Sequence, residues 1–275
     1  MIDGIAGIKI KYPTPRTPDS TPLYDTEHMR NREYDPFARI YNRHWAADYH
    51  REAEPVVARL LLSRLRPGAA VLDVCCGTGR FTRAIAERGF RMAGIDASAA
   101  MIRYARRNAA GIPFTVADAR DFSLRRKFAA AYSVYESLNH IPDLAGLTQA
   151  FTSVRRHLSP GAPFLFDLNS EEAYLMNWLG TDGIADESSA FITHLDYDEA
   201  TRVATCRMTT FHPARGNPGA WKREDFTVRQ TCHEIPLAHD ALLAAGFGSV
   251  SLYDACDVGL GRGLGQGRTF LLALA

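Results

Sequence analysis

The chain reads as an α/β protein: a doubly wound, mostly parallel sheet of seven strands, with a small antiparallel β-meander inserted after strand five. Three observations carry this reading. From about Glu52 onward, short apolar runs alternate with stretches of helical periodicity. The first strand runs into Cys75-Cys76-Gly77-Thr78-Gly79, a glycine turn that opens a helix. Between residues 184 and 231 the alternation gives way to consecutive runs rich in Thr, Val and aromatics.

Taken in order, residues 1–33 carry Pro13, Pro15, Pro18 and Pro22 among Lys, Arg, Thr and Ser, and read as a flexible N-terminal arm. The stretch from Tyr34 to Tyr49 places Tyr34, Phe37, Tyr41, Trp45 and Tyr49 at helical spacing. It is either an amphipathic helix docked on the core or a lid over the site. Helices are expected at Glu54–Leu65, 80–88, 98–109 and 143–157. Strands are expected at 70–74, 91–95, 114–116, Ala129–Val134 and Ala162–Leu168. The meander strands are Phe191–Tyr197, Val203–Phe211 and Trp221–Gln230, separated by Asp198-Glu199 and by Gly216-Asn217-Pro218-Gly219. A helix at Pro236–Ala245, with proline in its first turn, and strands at 248–254 and 269–274 complete the sheet. The core is thus 34–183 plus 232–275, and 184–231 is the insertion. A meander of that size does not stand alone. It should lie beside the carboxyl ends of the core strands, as a wall of the substrate pocket or as a homodimer surface.

The 275 residues are 46% hydrophobic, enough for one sizeable core, and the formal net charge is +1, so no electrostatic footprint for nucleic acid is expected. No apolar run is long enough for a membrane span. The five cysteines are odd in number and form no Cys-x-x-Cys pair, which indicates reduced thiols in a cytoplasmic chain and no metal site.

The glycine turn and Asp96, about 20 residues on, form a nucleotide cradle in which the acidic side chain can accept a ribose diol. A dinucleotide fingerprint needs a third glycine for pyrophosphate, and here Gly79 is followed by Arg80, Phe81 and Thr82. That disfavours a nicotinamide dehydrogenase. Asp73 at the strand end suits a cationic amino-acid tail instead. Asp73-x-Cys75-Cys76-Gly77-Thr78-Gly79, with Asp96 behind it, resembles motifs I and II of class I S-adenosylmethionine-dependent methyltransferases. The family pattern has glycine where Cys75 stands. The resemblance implies S-adenosylmethionine as cofactor and an antiparallel last strand at the tail Arg268–Leu274. It also implies that Asp118 accepts from the adenine amine while the backbone N–H of Ala119 meets the ring. Ala97 and Met101 after Asp96, and Tyr34 from the aromatic segment, complete the implied cofactor set.

On the acceptor side, Ser133-Val-Tyr-Glu-Ser-Leu-Asn-His140 follows strand four. His140 is the candidate base, because an unperturbed imidazole titrates near neutrality. Tyr135 and Tyr41 are candidates for lining the methyl path, and Glu136 for holding a cationic or hydroxyl-bearing acceptor. No Asn-Pro-Pro-Tyr sequence is present. Tyr34-Asp-Pro-Phe-Ala-Arg-Ile-Tyr41, Ala117–Phe122 and the meander are similar to a narrower group, the N,N-dimethyltransferases of amino-deoxysugars carried on nucleotides. The expected activity is methyl transfer to an amine, or a hydroxyl, of a small molecule. The competing readings are a scaffold that binds the cofactor without turnover, and a methyltransferase acting on protein or peptide.

Overall fold

The computed structural model describes residues 34–275 except Glu187, Arg215, Asn217 and Pro218. The expected arm and the Asn217-Pro218 turn lie outside those residues. The chain begins with α1 (Tyr34–Ile40), a π-helical turn (Tyr41–Trp45) and α2 (Ala46–Leu60). Next come β1 (Ala70–Val74), α3 (Arg80–Glu87), β2 (Arg91–Asp96), α4 (Ala99–Asn108), β3 (Phe114–Val116) and β4 (Ala130–Ser133). A 3-10 turn (Ser137–His140) leads to α5 (Leu144–His157), β5 (Pro163–Asn169) and α6 (Glu171–Asn177). The meander is β6 (Gly180–Asp186), β7 (Ser189–Asp198), β8 (Val203–Pro213) and β9 (Trp221–Thr231). The chain closes with α7 (Ile235–Ala244), β10 (Ser249–Asp254), α8 (Arg262–Gly265) and β11 (Arg268–Leu274).

Seven strands form the main sheet in the order β10-β11-β5-β4-β1-β2-β3. The pairs from β5 through β3 are parallel, and β11 runs antiparallel to both β5 and β10. The tail strand therefore takes the antiparallel role expected of it. Period-two alternation divides the core into two layers. Leu72, Val74, Phe164, Phe166 and Leu271 face one layer, shared with Leu147 and Phe151 of α5 and Leu242 of α7. Val71, Leu165, Phe270 and Leu272 face the other, against Tyr49, Ala53 and Val57 of α2 and Ile85 of α3.

Four elements depart from expectation. The helix expected at Glu54–Leu65 is the second half of α2, which starts at Ala46 and gives way to a 3-10 turn at Leu62–Arg64. The short helices α6 and α8 were not foreseen. The meander has a fourth strand, β6, so the small sheet begins at Gly180 rather than 184. Gly-Thr-Asp-Gly-Ile-Ala-Asp has little strand propensity, and β6 is formed by edge pairing to β7.

A buried polar cluster ties β5 and β11, neighbours in the main sheet, to α2 and to the loop after β4. Asp167 of β5 is 0% exposed, and its Oδ2 accepts from Arg268 of β11, from Tyr49 OH of α2 (3.2 Å) and from the backbone N–H of Glu136 (3.1 Å). Arg268 also pairs with the Glu136 carboxylate, and its guanidinium stands 5.2 Å from the centre of the Tyr49 ring. Burial pushes Glu136 above its ordinary pKa, Arg268 opposes that, and Asp167 adds to it. Removing the cation would leave two buried carboxyls facing each other. Arg268→Met is expected to lower stability by about 3–5 kcal/mol at neutral pH, read by denaturant unfolding. The loss should shrink in acid, where the Glu136 carboxyl, raised by burial, takes up a proton. A loss below about 1 kcal/mol would show that the cluster does not hold the fold.

Candidate functional site

A cavity of about 580 Å³ opens where the strand order reverses, at the carboxyl ends of β1, β2 and β4, and extends to the inner face of the meander. Its cofactor half is lined by Cys75, Gly77, Asp96, Ala97, Ser98, Met101, Asp118, Ala119 and Arg120. The turn after β1 bends back through left-handed residues: Cys75 at φ +61°, Gly77 at +52° and Gly79 at +71°. Gly77 N–H donates to Asp96 Oδ2 and Ser98 N–H to Oδ1, both at 2.8 Å. One carboxylate thus ties the turns after β1 and β2 together. Each of its oxygens keeps a further lone pair toward the cavity. Burial pushes Asp96 up to about 6, against the pull of those two N–H groups.

Two members of the expected cofactor set do other work. Asp73 does not line the cavity. Its Oδ2 accepts from Thr82 Oγ1 (2.6 Å) and Tyr132 OH (2.8 Å), which pins α3 and β4 to β1 from inside. Burial raises it to about 7 despite these donors. Gly79 is also behind the wall: a Cβ there would lie 2.8 Å from Ala105 Cβ, so the glycine is required for α4 to pack against the turn. Tyr34 stands at the first residue of α1, and its side chain lies outside the described residues. Asp118 lines the cavity and is gripped by Arg120, whose Nη2 donates to Oδ2 (2.7 Å) and Nε to Oδ1 (3.0 Å). Burial alone would raise Asp118, but the hydrogen bonds and charge of Arg120 hold it below the usual carboxylate range.

The acceptor half is walled by Phe37, Trp45, Trp178, Leu195, Met208 and Val228, with Glu136, Ser137, His140, Arg229, Gln230 and Thr231 as its polar residues. Tyr135 (φ +65°) and Glu136 (φ +41°) are two consecutive left-handed residues without the freedom of glycine. The Asp167 cluster fixes both, since Tyr135 N–H donates to Tyr49 OH (3.0 Å) and Glu136 N–H to Asp167. The Tyr135 ring stacks on Tyr49, centroids 4.3 Å apart, and faces Tyr41 at 5.8 Å. Glu136 reaches the wall already paired with Arg268, so it is not an open seat for a cation. His140 Nδ1 lies 2.8 Å from the Arg229 carbonyl, and its Nε2 lies 3.2 Å from Gln230 Nε2. Burial pushes His140 down to about 4, so the near-neutral titration behind the base assignment does not hold in the fold.

The π-helical turn bridges the two halves. Asn42 Oδ1 accepts from Arg80 Nε (3.1 Å) and Asn108 Nδ2 (2.7 Å), and Tyr41 lies over Gly77. The next residues turn to the meander: Arg43 Nε donates to Asp186 (2.9 Å), His44 Nε2 meets Ser189 Oγ (3.2 Å), and Trp45 stands edge-on to Phe191. The aromatic spacing from Tyr34 to Tyr49 signalled this wall. Sequence reasoning missed Arg120, although it stands two residues beyond Asp118. It also missed Trp178 and Gln230, for which no local signal exists. Among the described residues no cluster suits a metal ion, and no helix is long and apolar enough to cross a membrane.

Residues 71–161 match the family model described as a methyltransferase domain. The chain is 34% identical over 163 residues to the dTDP-3-amino-3,6-dideoxy-alpha-D-glucopyranose N,N-dimethyltransferase of Streptomyces fradiae. That alignment covers 57% of this chain and 62% of the relative, less than two thirds of its length. The dTDP-4-amino-2,3,4,6-tetradeoxy-D-glucose N,N-dimethyltransferase of Saccharopolyspora spinosa is 30% identical, over 72% of this chain and 74% of that protein. In fold, the chain is similar to a S-adenosylmethionine-dependent methyltransferase from Clostridium acetobutylicum, with a TM-score of 0.70 at 21% identity, covering 88% of this chain and 98% of that one.

Two predictions follow from the turn. A ribose diol must donate to an ionised Asp96, so ligand binding lowers its pKa and expels a proton from the protonated form. Affinity for S-adenosylhomocysteine should be flat above about pH 7 and fall, by up to about tenfold per unit, below the value near 6. Calorimetry across this range checks it. Asp96→Asn should bind more weakly at high pH and lose the slope, and a wild-type affinity that ignores pH would contradict the role. Cys75→Gly should raise stability by about 1 kcal/mol by relieving the left-handed strain at this position. Denaturant unfolding measures this, and an unchanged or lower midpoint would mean that thiol contacts outweigh the strain.

Proposed function

This chain belongs to the S-adenosylmethionine-dependent methyltransferases, and we propose that it methylates the amine of a small deoxygenated sugar carried on a nucleotide. One observation carries the reading: a single cavity joins the Asp96 turn to an acceptor half with an aromatic and aliphatic face on one side and a polar stretch, Glu136–His140 and Arg229–Thr231, on the other. Such a wall suits a partly deoxygenated ring that still carries an amine, and the two relatives named above act on amino-deoxysugars. The enclosed volume favours a small acceptor over a protein or peptide, and the net charge of +1 gives no reason to invoke nucleic acid. The meander's contribution to the cavity lining favours its role as a pocket wall over a homodimer surface. All five cysteines are free, in keeping with a reducing, cytoplasmic setting.

The cofactor half suits S-adenosylmethionine on its own chemistry. Gly77 keeps the backbone close beneath Tyr41, Asp96 offers lone pairs for a diol, and Asp118 with the Ala119 N–H offers an acceptor and a donor for adenine. When bound, S-adenosylmethionine supplies a methyl group on a sulfonium whose leaving thioether is neutral. The protein then has to align the acceptor more than activate it. Tyr41 and Tyr135 face each other between the two halves and exclude water from the path. His140, held neutral, accepts an N–H of the incoming amine and turns the amine's own lone pair toward the cofactor half. It acts as a positioning acceptor, since an imidazole titrating near 4 takes up a full proton poorly.

The test is transfer of isotope from methyl-labelled S-adenosylmethionine to dTDP-3-amino-3,6-dideoxyglucose, followed by mass spectrometry. One or two labelled methyl groups on the sugar nitrogen are expected. Label in a peptide fraction would support a macromolecular acceptor. Cofactor binding without transfer to any aminosugar nucleotide would support a scaffold.

A further inference from the structure

We infer that Gln230 is a positioning residue of the transfer reaction: its amide fixes His140 as the Nδ1–H tautomer and holds the ring in place at the acceptor wall. The inference rests on the amine-transfer reading for its consequence, but its geometry stands in the resting protein. Gln230 is 4% exposed, lies on β9 and lines the acceptor half. Its Oε1 accepts from Tyr174 OH of α6 at 2.8 Å. Its Nε2 lies 3.2 Å from His140 Nε2.

The direction of every bond in this chain follows from its ends. The Arg229 carbonyl can only accept, so His140 Nδ1 carries a proton and donates to it. A neutral ring then has a lone pair at Nε2, which needs a donor. The NH₂ of Gln230 supplies it and leaves Oε1 for the tyrosine hydroxyl. Rotating the amide by half a turn would set its oxygen against that lone pair. Glutamate or leucine here could not donate to it. The result is a ring of fixed tautomer and orientation at the acceptor wall; Gln230 fills its one Nε2 lone pair in the resting protein, and an incoming amine N–H takes that lone pair by displacing the amide.

The charged groups around His140 leave this assignment undisturbed. On its own turn, Glu136 is paired with Arg268 of β11, which also holds Asp167 of β5. Elsewhere on the cavity wall Asp118 is paired with Arg120. From β9 the Arg229 carbonyl and the Gln230 amide face the ring, and from α6 Tyr174 acts through Gln230.

Nitrogen NMR of histidine-labelled protein bound to S-adenosylhomocysteine tests the assignment without any acceptor. Wild-type His140 should show the neutral Nδ1–H tautomer and remain neutral down to about pH 5. In Gln230→Glu the new carboxylate can only accept, so the ring must protonate at Nε2, and its titration should move up by about 1–3 units. With dTDP-3-amino-3,6-dideoxyglucose, the variant should lose about 10- to 100-fold in kcat near neutral pH and recover as pH rises. Affinity for S-adenosylhomocysteine should be unchanged, which verifies folding. The double variant His140→Asn, Gln230→Glu should lack that pH limb. An Nε2–H tautomer in the wild type overturns the inference whether or not the variant folds. So does an unshifted titration in folded Gln230→Glu, or a wild-type pH profile in a variant whose titration has moved. If no aminosugar is methylated by the wild type, the proposed function fails, and the tautomer measurement still decides the role of the amide.

Discussion

One carboxylate oxygen sets the geometry of the acceptor side. Asp167 Oδ2 gathers an arginine from the last strand, a tyrosine hydroxyl from the N-terminal helix and a backbone N–H from the loop after β4. That N–H belongs to Glu136, and the neighbouring Tyr135 N–H is held by the same tyrosine. Two adjacent left-handed residues cost roughly 1–3 kcal/mol each and persist only where the surroundings leave no alternative. Here three hydrogen bonds and an ion pair supply the constraint. The loop therefore presents the Tyr135 ring and the 3-10 turn bearing His140 at fixed positions. The arrangement places the strain of the molecule next to its chemistry and its compensation one layer deeper.

The cofactor side is organised differently. Among the described residues, no cation stands beside Asp96. Two backbone N–H groups from two different turns hold its oxygens, and the carboxyl stays half inclined to protonate. Behind it, Asp73 is an internal post whose partners are Thr82 and Tyr132. The two aspartates look alike in the sequence, each closing an apolar run, yet one lines the cavity and the other is a brace.

Strand parity explains that difference and also what the sequence could show. In β1, Leu72 and Val74 point to one layer, so Val71 and Asp73 point to the other, under α3. Asp73 is one residue short of the strand's end and cannot turn into the crevice, whereas Asp96 is the last residue of β2. Parity was readable and would have separated them. The core strands were legible to within a residue or two because buried parallel strands are continuous apolar runs between helices of clear period. The glycine at 77, with the acid at 96, located the crevice for the same reason: both are local patterns. Gln230 and Arg268 were not legible. They meet His140 and Glu136 across 90 and more residues of chain, and no spacing rule links an isolated glutamine to a histidine on another element. Strand β6 was missed because its residues are all exposed and its existence depends on a neighbour.

The π-helical turn has a thermodynamic consequence. Successive residues of one short segment grip the cofactor turn through Tyr41 and Asn42 and the meander through Arg43, His44 and Trp45. A segment clamped on both sides cannot loosen from one without weakening its hold on the other. Occupancy of the two halves is then linked, and linkage is reciprocal: whatever factor the acceptor adds to the retention of the donor, the donor adds to the retention of the acceptor. Where opening of this segment admits both molecules, the spent donor and the methylated product leave on the same excursion, and a molecule needing two rounds of transfer must let go of its half-finished product between them.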